Sequence, residues 1–323
     1  MTSILTNSAA IGALQTLRSI NSQMEATQSR ISTGYRVANA SDDAAYWSIA
    51  TTMLSDNKAL SAVEDALSLG AATLDTAYTG MDAAIEVMDE VKAKLVVARE
   101  PGVDKTKINK ELTQLKGQLR SIVDSATFNG ENWLKWNTAA DSVDKSLVSS
   151  FTRGENGLVT VGTTTYTVST GFGTTGINYL VDNGGTGEYG ILTSKAFATS
   201  VGAGSAYVLF KGAANPPSTV EMVLNQTTTD VQIDDMINTV DAMLQRMIDV
   251  ASNLGALQTG LELKGDFVAD LRDSIETGVG RLMDADMNEE STRLKALQTQ
   301  HQLGLQSLSI ANNNAQNLLS LFR

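Results

Sequence analysis

The chain has no cysteine in 323 residues, which excludes disulfides and thiolate metal sites and leaves the redox compartment unmarked. It has one histidine, His301, so neither an HExxH metal motif nor a histidine-based triad can be assembled. Positive charge is scarce too: 24 Lys and Arg stand against 36 Asp and Glu, a net charge of −12. Nucleic acid, whose phosphates need a basic face, is excluded as a partner, and a soluble, self-repelling chain is expected. No run approaches the ~18 apolar residues of a membrane helix, so no membrane insertion is expected. The opening "MTSILTNSAAIGALQTL" lacks the basic and apolar regions of a Sec-type signal peptide, so any export takes another route. Aromatics are only 5% while hydrophobic residues are 42%, so the cores must be aliphatic and Ala-rich. The length suggests about two domains.

What is present falls into three textures. Residues 1 to about 135 and about 229 to 323 are helical in pattern, and the middle is rich in Gly, Thr and Val, with 13 of the 26 glycines between 151 and 220. Leu14, Leu17, Asn21, Met24, Gln28 and Ile31 step by three and four, as a core-facing helical stripe does. Gly34 in "ISTG" suits the residue that ends such a helix at positive φ. Ser41 is expected to cap the next helix, with Asp42 and Asp43 in its first turn, where the helix dipole favours acids.

That next helix carries the strongest pattern in the chain. Tyr46, Ile49, Met53, Asp56, Leu60, Val63, Leu67, Gly70, Leu74, Ala77, Met81, Ala84, Met88, Val91, Leu95 and Ala98 keep one heptad register. At 1.5 Å per residue the rod is roughly 80 Å long. "EPG" at 100–102 stops it, and Asp104 caps a shorter helix with Ile108, Leu112, Leu115, Leu119 and Ile122 on one side. In the second half, Thr229 and Gln232 have capping-box spacing. Ile233, Ile237, Val240, Leu244, Met247, Ala251, Leu254, Gln258, Leu261, Gly265, Val268, Arg272, Ile275, Val279 and Leu282 hold a second long register. It breaks in "MDADMNEE" and resumes shifted at Leu294, Leu297, His301, Gly304, Leu308, Ala311, Ala315, Leu318 and Phe322. The middle reads as strands in "LVTVGTTTYTVS", "EYGILTS", "SAYVLFKG" and "TVEMVLN". The fold class is mostly α with a β-rich insertion.

The largest local deficit is charge at the ends. Ala296 to Phe322 contains no Asp, Glu, Lys or Arg, and residues 1 to 24 contain only Arg18. A surface helix normally opposes its apolar stripe with charges. Here the opposing face is Gln, Asn and Ser, which cost far less to bury if hydrogen-bonded. Both ends read as helices meant to be surrounded by protein, which many copies packed together provide and one copy does not. Self-assembly is therefore expected, with the ends unordered before assembly. The alternatives are a monomeric helical domain with amide-rich surfaces, and a coiled-coil signalling hairpin. The hairpin leaves the β-rich insertion unexplained where its tip should be.

Chemistry-like motifs yield to simpler readings. "GTGEYG" at 185–190 satisfies G-x-G-x-x-G, but no helix follows and Phe210 stands near where an acid belongs, so it reads as turns. The carboxylate pairs Asp42/Asp43 and Asp234/Asp235 are assigned to first turns of helices, and Glu289/Glu290 to a solvated joint. His301 is expected to be a packed, hydrogen-bonded core residue. No catalytic, cofactor-binding or metal site is expected.

"SRISTGYRVANASDDAAYWSIATTM", "ATFNGENWL" and "NNNAQNLLSLFR" closely resemble bacterial flagellin, and "AAYWSIATTM" resembles the short rhizobial type. The likeness covers about 140 N-terminal and 90 C-terminal residues, not the middle. It implies an extracellular filament subunit for swimming, not an enzyme, with a hook–filament junction protein as runner-up. It implies inner-tube helices at 1–40 and 283–323. It implies antiparallel coiled-coil rods at 41–176 and 229–282 with a β-hairpin region, and an outer β-rich element at 177–228 on which rod packing should not depend. The implied polymerisation interface comprises Leu14, Leu17, Asn21, Met24, Ile31, Leu294, Leu297, Leu308, Ala311, Ala315, Leu318 and Phe322. The implied partners are further copies or other flagellins, an export chaperone, the type III export apparatus and a filament cap. Flagellins sensed by the animal innate receptor present an arginine in the stretch matching Met88 to Val97, with Asp89, Val91 and Leu95 in the facing region. Glu90 stands in its place, which lowers complementarity to an acidic receptor surface.

Overall fold

The computed structural model describes residues 7–137, 144–154, 156–167, 174, 176–183, 188–211 and 218–321, and the side chains only as far as 313. The chain divides into two units: Met1–Ala59 with Leu271–Arg323, and Leu60–Asp270. Each is described by itself. The helices are α1 (Ser8–Thr33), α2 (Ala44–Ala98), α3 (Lys105–Ser125), α4 (Ala196–Ser200), α5 (Asp230–Met283) and α6 (Met287–Leu321). The strands are β1 (Lys135–Trp136), β2 (Asp144–Arg153), β3 (Val159–Thr167), β4 (Val181–Asp182), β5 (Ala206–Val208) and β6 (Thr219–Glu221). Among the described residues no helix is long and apolar enough to cross a membrane.

In the Leu60–Asp270 unit the heptad of α2 is the core. Every register position from Leu60 to Ala98 is buried, with Leu74, Met81, Ala84, Met88, Val91, Leu95 and Ala98 fully so. On α5, Ile233, Val240, Leu244, Met247, Leu254, Leu261 and Val268 are buried at their expected places. Contacts between the two helices pair rising with falling numbers: Tyr78 lies beside Gly255, Lys92 meets Asp241 at 2.5 Å, and Arg99 meets Asp234 at 2.8 Å. The capping box forms as expected, Thr229 N–H to Gln232 Oε1 at 2.9 Å and Gln232 N–H to Thr229 Oγ1 at 3.4 Å. Asp104 caps α3 by accepting from Thr106 N–H at 3.0 Å. The Thr106 hydroxyl also donates to that carboxylate and holds it below the usual carboxylate range.

The start of α2 differs from expectation. Asp43, not Ser41, is the cap, accepting from Ala45 and Tyr46 N–H at 3.0 and 3.1 Å. Asp42 instead closes the preceding loop by accepting from Ala38 and Asn39 N–H. Tyr46 and Ile49 are exposed, and Ala50 is the buried residue there, packed with Val279 and Met283. Asp234 and Asp235 lie beyond the first turn of α5. They serve Arg99 and the Gly204 N–H respectively.

The middle pairs in three two-stranded sheets: β1 with β4 and β5 with β6 parallel, β2 with β3 antiparallel with a bulge near Ser149. "LVTVGTTTYTVS", "SAYVLFKG" and "TVEMVLN" contain β3, β5 and β6. "EYGILTS" is not a strand; Gly190 makes one bridge to Tyr179, and Ser194 N–H then turns back to its carbonyl. A Cβ at Gly190 would lie 2.4 Å from Asp182 N, so glycine is required by that close approach. Residues 185–187 of "GTGEYG" lie outside the described residues.

Residues 177–228 are not a loose decoration. Ile177, Leu180, Ile191, Leu192 and Leu209 have no exposed surface. Lys116 of α3, itself buried, donates to Glu221 at 3.0 Å and to Met222 O at 2.6 Å. Burial lowers the Lys116 pKa, and the Glu221 carboxylate opposes that shift. Asn109 accepts from Leu224 N–H, Lys105 donates to Thr228 O, and Arg120 stacks over Phe210 at 5.6 Å. The expectation that rod packing is indifferent to this segment is corrected for α3. On that helix Lys105, Asn109, Lys116 and Arg120 are all engaged by residues that follow β5.

Candidate assembly surface

The unit made of both chain ends carries the charge-poor helices. The connection between α1 and α2 crosses the α5–α6 joint as a short backbone lattice. Gly34, at φ 76°, ends α1 by donating its N–H to Arg30 O. Tyr35 bridges Asp284, the N–H groups of Arg36 and Val37 donate to Met283 O, and Ala285 N–H donates to Gly34 O. Asp286 restarts the chain as the cap of α6, accepting from Asn288 and Glu289 N–H. This joint is the charged stretch that breaks the long register.

From it α1 and α6 run back along each other. Asn7 Nδ2 donates to Ala311 O at 2.9 Å, Leu17 lies against Gly304, and Arg30 pairs with Glu290 at 3.2 Å. The helices are formed and paired in one copy, where the sequence reading expects them unordered, because their stripes find each other. The α6 stripe falls as expected: Leu297 is buried and Leu294, His301, Gly304, Leu308 and Ala311 are half-buried. His301 packs on this stripe but makes no hydrogen bond among the described residues. Ala315 and Leu318 have no described side chain, and Phe322 lies outside the described residues.

On α1 the expected phase is half right. Leu17 is buried and Met24 and Ile31 are half-buried, but Leu14, Asn21 and Gln28 are exposed; Ala13, Ile20 and Thr27 take the inward places. Two heptad phases share positions 17, 24 and 31, and the leucine at 14 masked the smaller alanine at 13. Helix geometry turned on whichever residues met α6, not on the largest ones.

Glu290 corrects a second reading. It is buried, not solvated: Oε1 accepts from Arg30 at 3.2 Å and Arg293 at 3.4 Å, and Oε2 has no hydrogen-bond partner. Sequence gives no warning of this, since an acid in a charged stretch ordinarily faces water.

What this pair leaves bare is the candidate surface. Ile11, Leu14, Leu303, Leu305 and Ile310 are exposed, Ile310 by 62% and Ile11 by 58%. Around them stand mostly Gln, Asn and Ser, with Arg18 beside Leu14 as the charge. A two-helix pair has no inside for these side chains.

In the other unit the stretch from Met88 to Leu95 splits by face. Met88, Val91 and Leu95 are fully buried, leaving Asp89 and Glu90 outward. Glu90 pairs with Lys94 at 3.4 Å, and Lys94 reaches Glu111 of α3 at 2.9 Å. Those two contacts raise the Lys94 pKa, Glu111 more than Glu90. A hollow of about 420 Å³ is lined by Thr174, Glu188, Ser194, Lys195 and Thr199; Lys195 and Glu188 pair at 3.2 Å, and the Thr199 hydroxyl donates to Lys195 O.

Residues 4–139 match the N-terminal helical region of bacterial flagellin, and residues 237–322 its C-terminal helical region. Over the full length of both chains, the protein is 53% identical to Flagellin C of Rhizobium meliloti (strain 1021). It is likewise 47% identical to Flagellin A of that strain, in an alignment of 394 positions, and 41% identical to Flagellin of Brucella melitensis biotype 1. The paired, charge-poor terminal helices, the heptad of α2 from Leu60 to Ala98 and these matches agree. The chain belongs to the bacterial flagellin family, a structural subunit and not an enzyme, exported to form the extracellular flagellar filament of swimming cells.

Proposed function

We propose that the chain polymerises through α1 and α6, which become the inner tube, while α2 and α5 form an antiparallel coiled-coil rod around it. The observation that carries this reading is the bare apolar set Ile11, Leu14, Leu303, Leu305 and Ile310, beside which Arg18 is the one charge among the neighbouring described residues. Such a set costs free energy in water and gains it when neighbouring copies cover it. Leu17, Met24, Ile31, Leu294, Leu297, Leu308 and Ala311 hold α1 to α6, so that Leu14 and Asn21 on one helix and Leu303 on the other face outward to neighbours. Ala315, Leu318 and Phe322 extend the same pattern by sequence. The falling numbers that pair with rising ones along α2 and α5 support the antiparallel rod. Within this division, 1–40 and 283–323 serve the tube, 41–176 and 229–282 the rod, and 177–228 the outer element. Delivery to the filament tip calls for an export chaperone, the export apparatus and a cap.

The test is Leu303→Asp, a position that is 58% exposed in one copy. Its monomer should keep the wild-type helical signal and melting temperature, and it should form no filaments, because a charge buried without a partner costs several kcal/mol. Filaments of normal yield from this variant would show that the face stays in water.

A further inference from the structure

In the Leu60–Asp270 unit, α2 and α3 each keep a face that nothing among the described residues covers, and the two faces are opposite in charge. On α2, Asp75, Asp82, Glu86 and Asp89 are exposed and follow one another by seven, four and three residues. That spacing sets them on one side, away from the buried Leu74, Met81 and Met88. None of the four has a hydrogen bond or ion pair among the described residues, and no Lys or Arg occurs from Asp75 to Glu90. On α3, Lys107 and Lys110 are exposed and form no salt bridge among the described residues. Gln114, Gln118 and Ser121 continue their side without charge. The flanking Glu111 is held by Lys94 at 2.9 Å. Most other cations of the unit are already committed, as Lys92 is to Asp241 and Arg99 to Asp234.

Copies carrying −12 charges repel one another, so a contact between them gains most where it opposes that repulsion. A two-fold contact between identical faces would set the acids of α2 against themselves. Joining the acidic face of one copy to the lysine face of the next is a heterologous contact, and one that does not close on itself builds an open helical polymer. We propose that the Asp75–Asp89 face of α2 docks on the Lys107–Lys110 face of α3 in a neighbouring copy, a second assembly contact independent of the terminal helices. Val96 and Val97, each about half exposed, continue the α2 face and add apolar area to it. The proposal rests on the self-assembly of the family, not on the tube assignment of α1 and α6.

Two double variants test it, Asp82→Lys/Glu86→Lys and Lys107→Glu/Lys110→Glu. Each is added as full-length monomer to wild-type filament fragments at low salt, and elongation is followed by light scattering. Each variant alone should elongate about tenfold more slowly than wild type, the size that electrostatic steering and like-charge contact impose. The deficit should shrink as salt is raised. An equimolar mixture should recover most of the wild-type rate, because the new lysines of one variant then meet the new glutamates of the other. Wild-type rates for both variants at low salt overturn the proposal, and so does a mixture no faster than its components. Where a reversal costs helical signal, Asp82→Asn/Glu86→Gln and Lys107→Gln/Lys110→Gln take its place. They should elongate several-fold more slowly at low salt with a flatter salt dependence, and an unchanged rate overturns the proposal equally. Wild-type monomer unable to extend its own fragments would instead remove self-assembly itself, and the proposal with it.

Discussion

The rod helix α2 and the terminal helices α1 and α6 carry the same kind of heptad stripe and bury it to different depths. From Leu60 to Ala98 every register position of α2 is buried, and its outward face is acidic. Among the described residues of α1 and α6 only Leu17, Ile20, Thr27, Leu297 and Glu290 are buried; the outward faces are mostly amide and aliphatic. The stripe alone therefore does not tell a finished core from an unfinished one. The opposite face does. Charges there mark a surface that is stable in water on its own, and their absence marks one that needs protein to cover it.

The strongest way to break this contrast is to put charge on each outward face. Leu303→Asp should abolish filament formation while leaving the monomer's melting unchanged. On the outward side of α2, Ala62→Asp, at an exposed position outside the Asp75–Asp89 face, should leave filaments in normal yield. Equal effects of the two in a sedimentation assay would erase the distinction.

Truncation of the stripes comes next in size. Met88 has no exposed surface, and Met88→Ala should cost about 2–5 kcal/mol of folding stability by lost burial and cavity formation. Met24, half-buried on α1, should cost about 1 kcal/mol or less in the monomer. It should then cost considerably more in the filament, once neighbours close over α1. Urea melts of monomer and filament for both variants measure this. A Met24→Ala penalty that is the same in both states would mean that α1 gains no cover on assembly.

Smaller still is the effect of Glu290. Replacing it by Gln removes the charge that holds Arg30 and leaves a buried amide with no better partner. The expected loss is about 1–2 kcal/mol, confined to the α1–α6 pair. Hydrogen exchange should speed along α1 and stay unchanged along the Leu60–Ala98 part of α2. Uniform acceleration would show that the pair and the rod open as one.

How much of this could be read from the sequence follows the same physics. The registers of α2 from Leu60 onward, of α5 and of α6 were legible because apolar spacing and burial coincide there. So were Gly34 as a helix end, Asp104 as a cap and the Thr229–Gln232 box, which depend on neighbours in sequence. The phase of α1 was legible only at the positions two phases share. Lys116, Glu290 and the absence of a strand at "EYGILTS" were not legible. The first two depend on partners far along the chain, Glu221 and Met222 for Lys116 and Arg30 for Glu290, and the third on the close approach of Asp182 to Gly190 across a turn. The strand β2 was expected only through the hairpin that the family resemblance implies near 141–176, not from its own residues, because "DKSLVSSFTR" is polar at most positions and is held by its pairing with β3. The bare apolar face was legible as a deficit of charge, though not residue by residue.

The least effect expected at neutral pH belongs to Tyr166, and it tests the dryness of the Leu60–Asp270 unit where the hairpin meets it. The ring of Tyr166 stacks on Trp133 at 5.7 Å and is 9% exposed. Burial pushes its phenol pKa up to about 12, against a smaller opposing pull from Arg246. A group whose pKa is raised by folding adds stability below its unfolded value and loses it as pH rises through the folded one. Between pH 10 and 12 the folded chain therefore holds the proton while the unfolded chain releases it, and stability falls by about 2–3 kcal/mol across that window. Tyr166→Phe has no proton to lose. At pH 7 the variant should melt within a degree or two of wild type. From pH 10 to 12 wild type should lose stability faster than the variant, the gap widening with pH. Lysines titrate in the same window, but they do so in both proteins and cancel in the difference. Parallel stability curves for the two across pH 10 to 12 would mean that water reaches the Tyr166 hydroxyl in the folded chain.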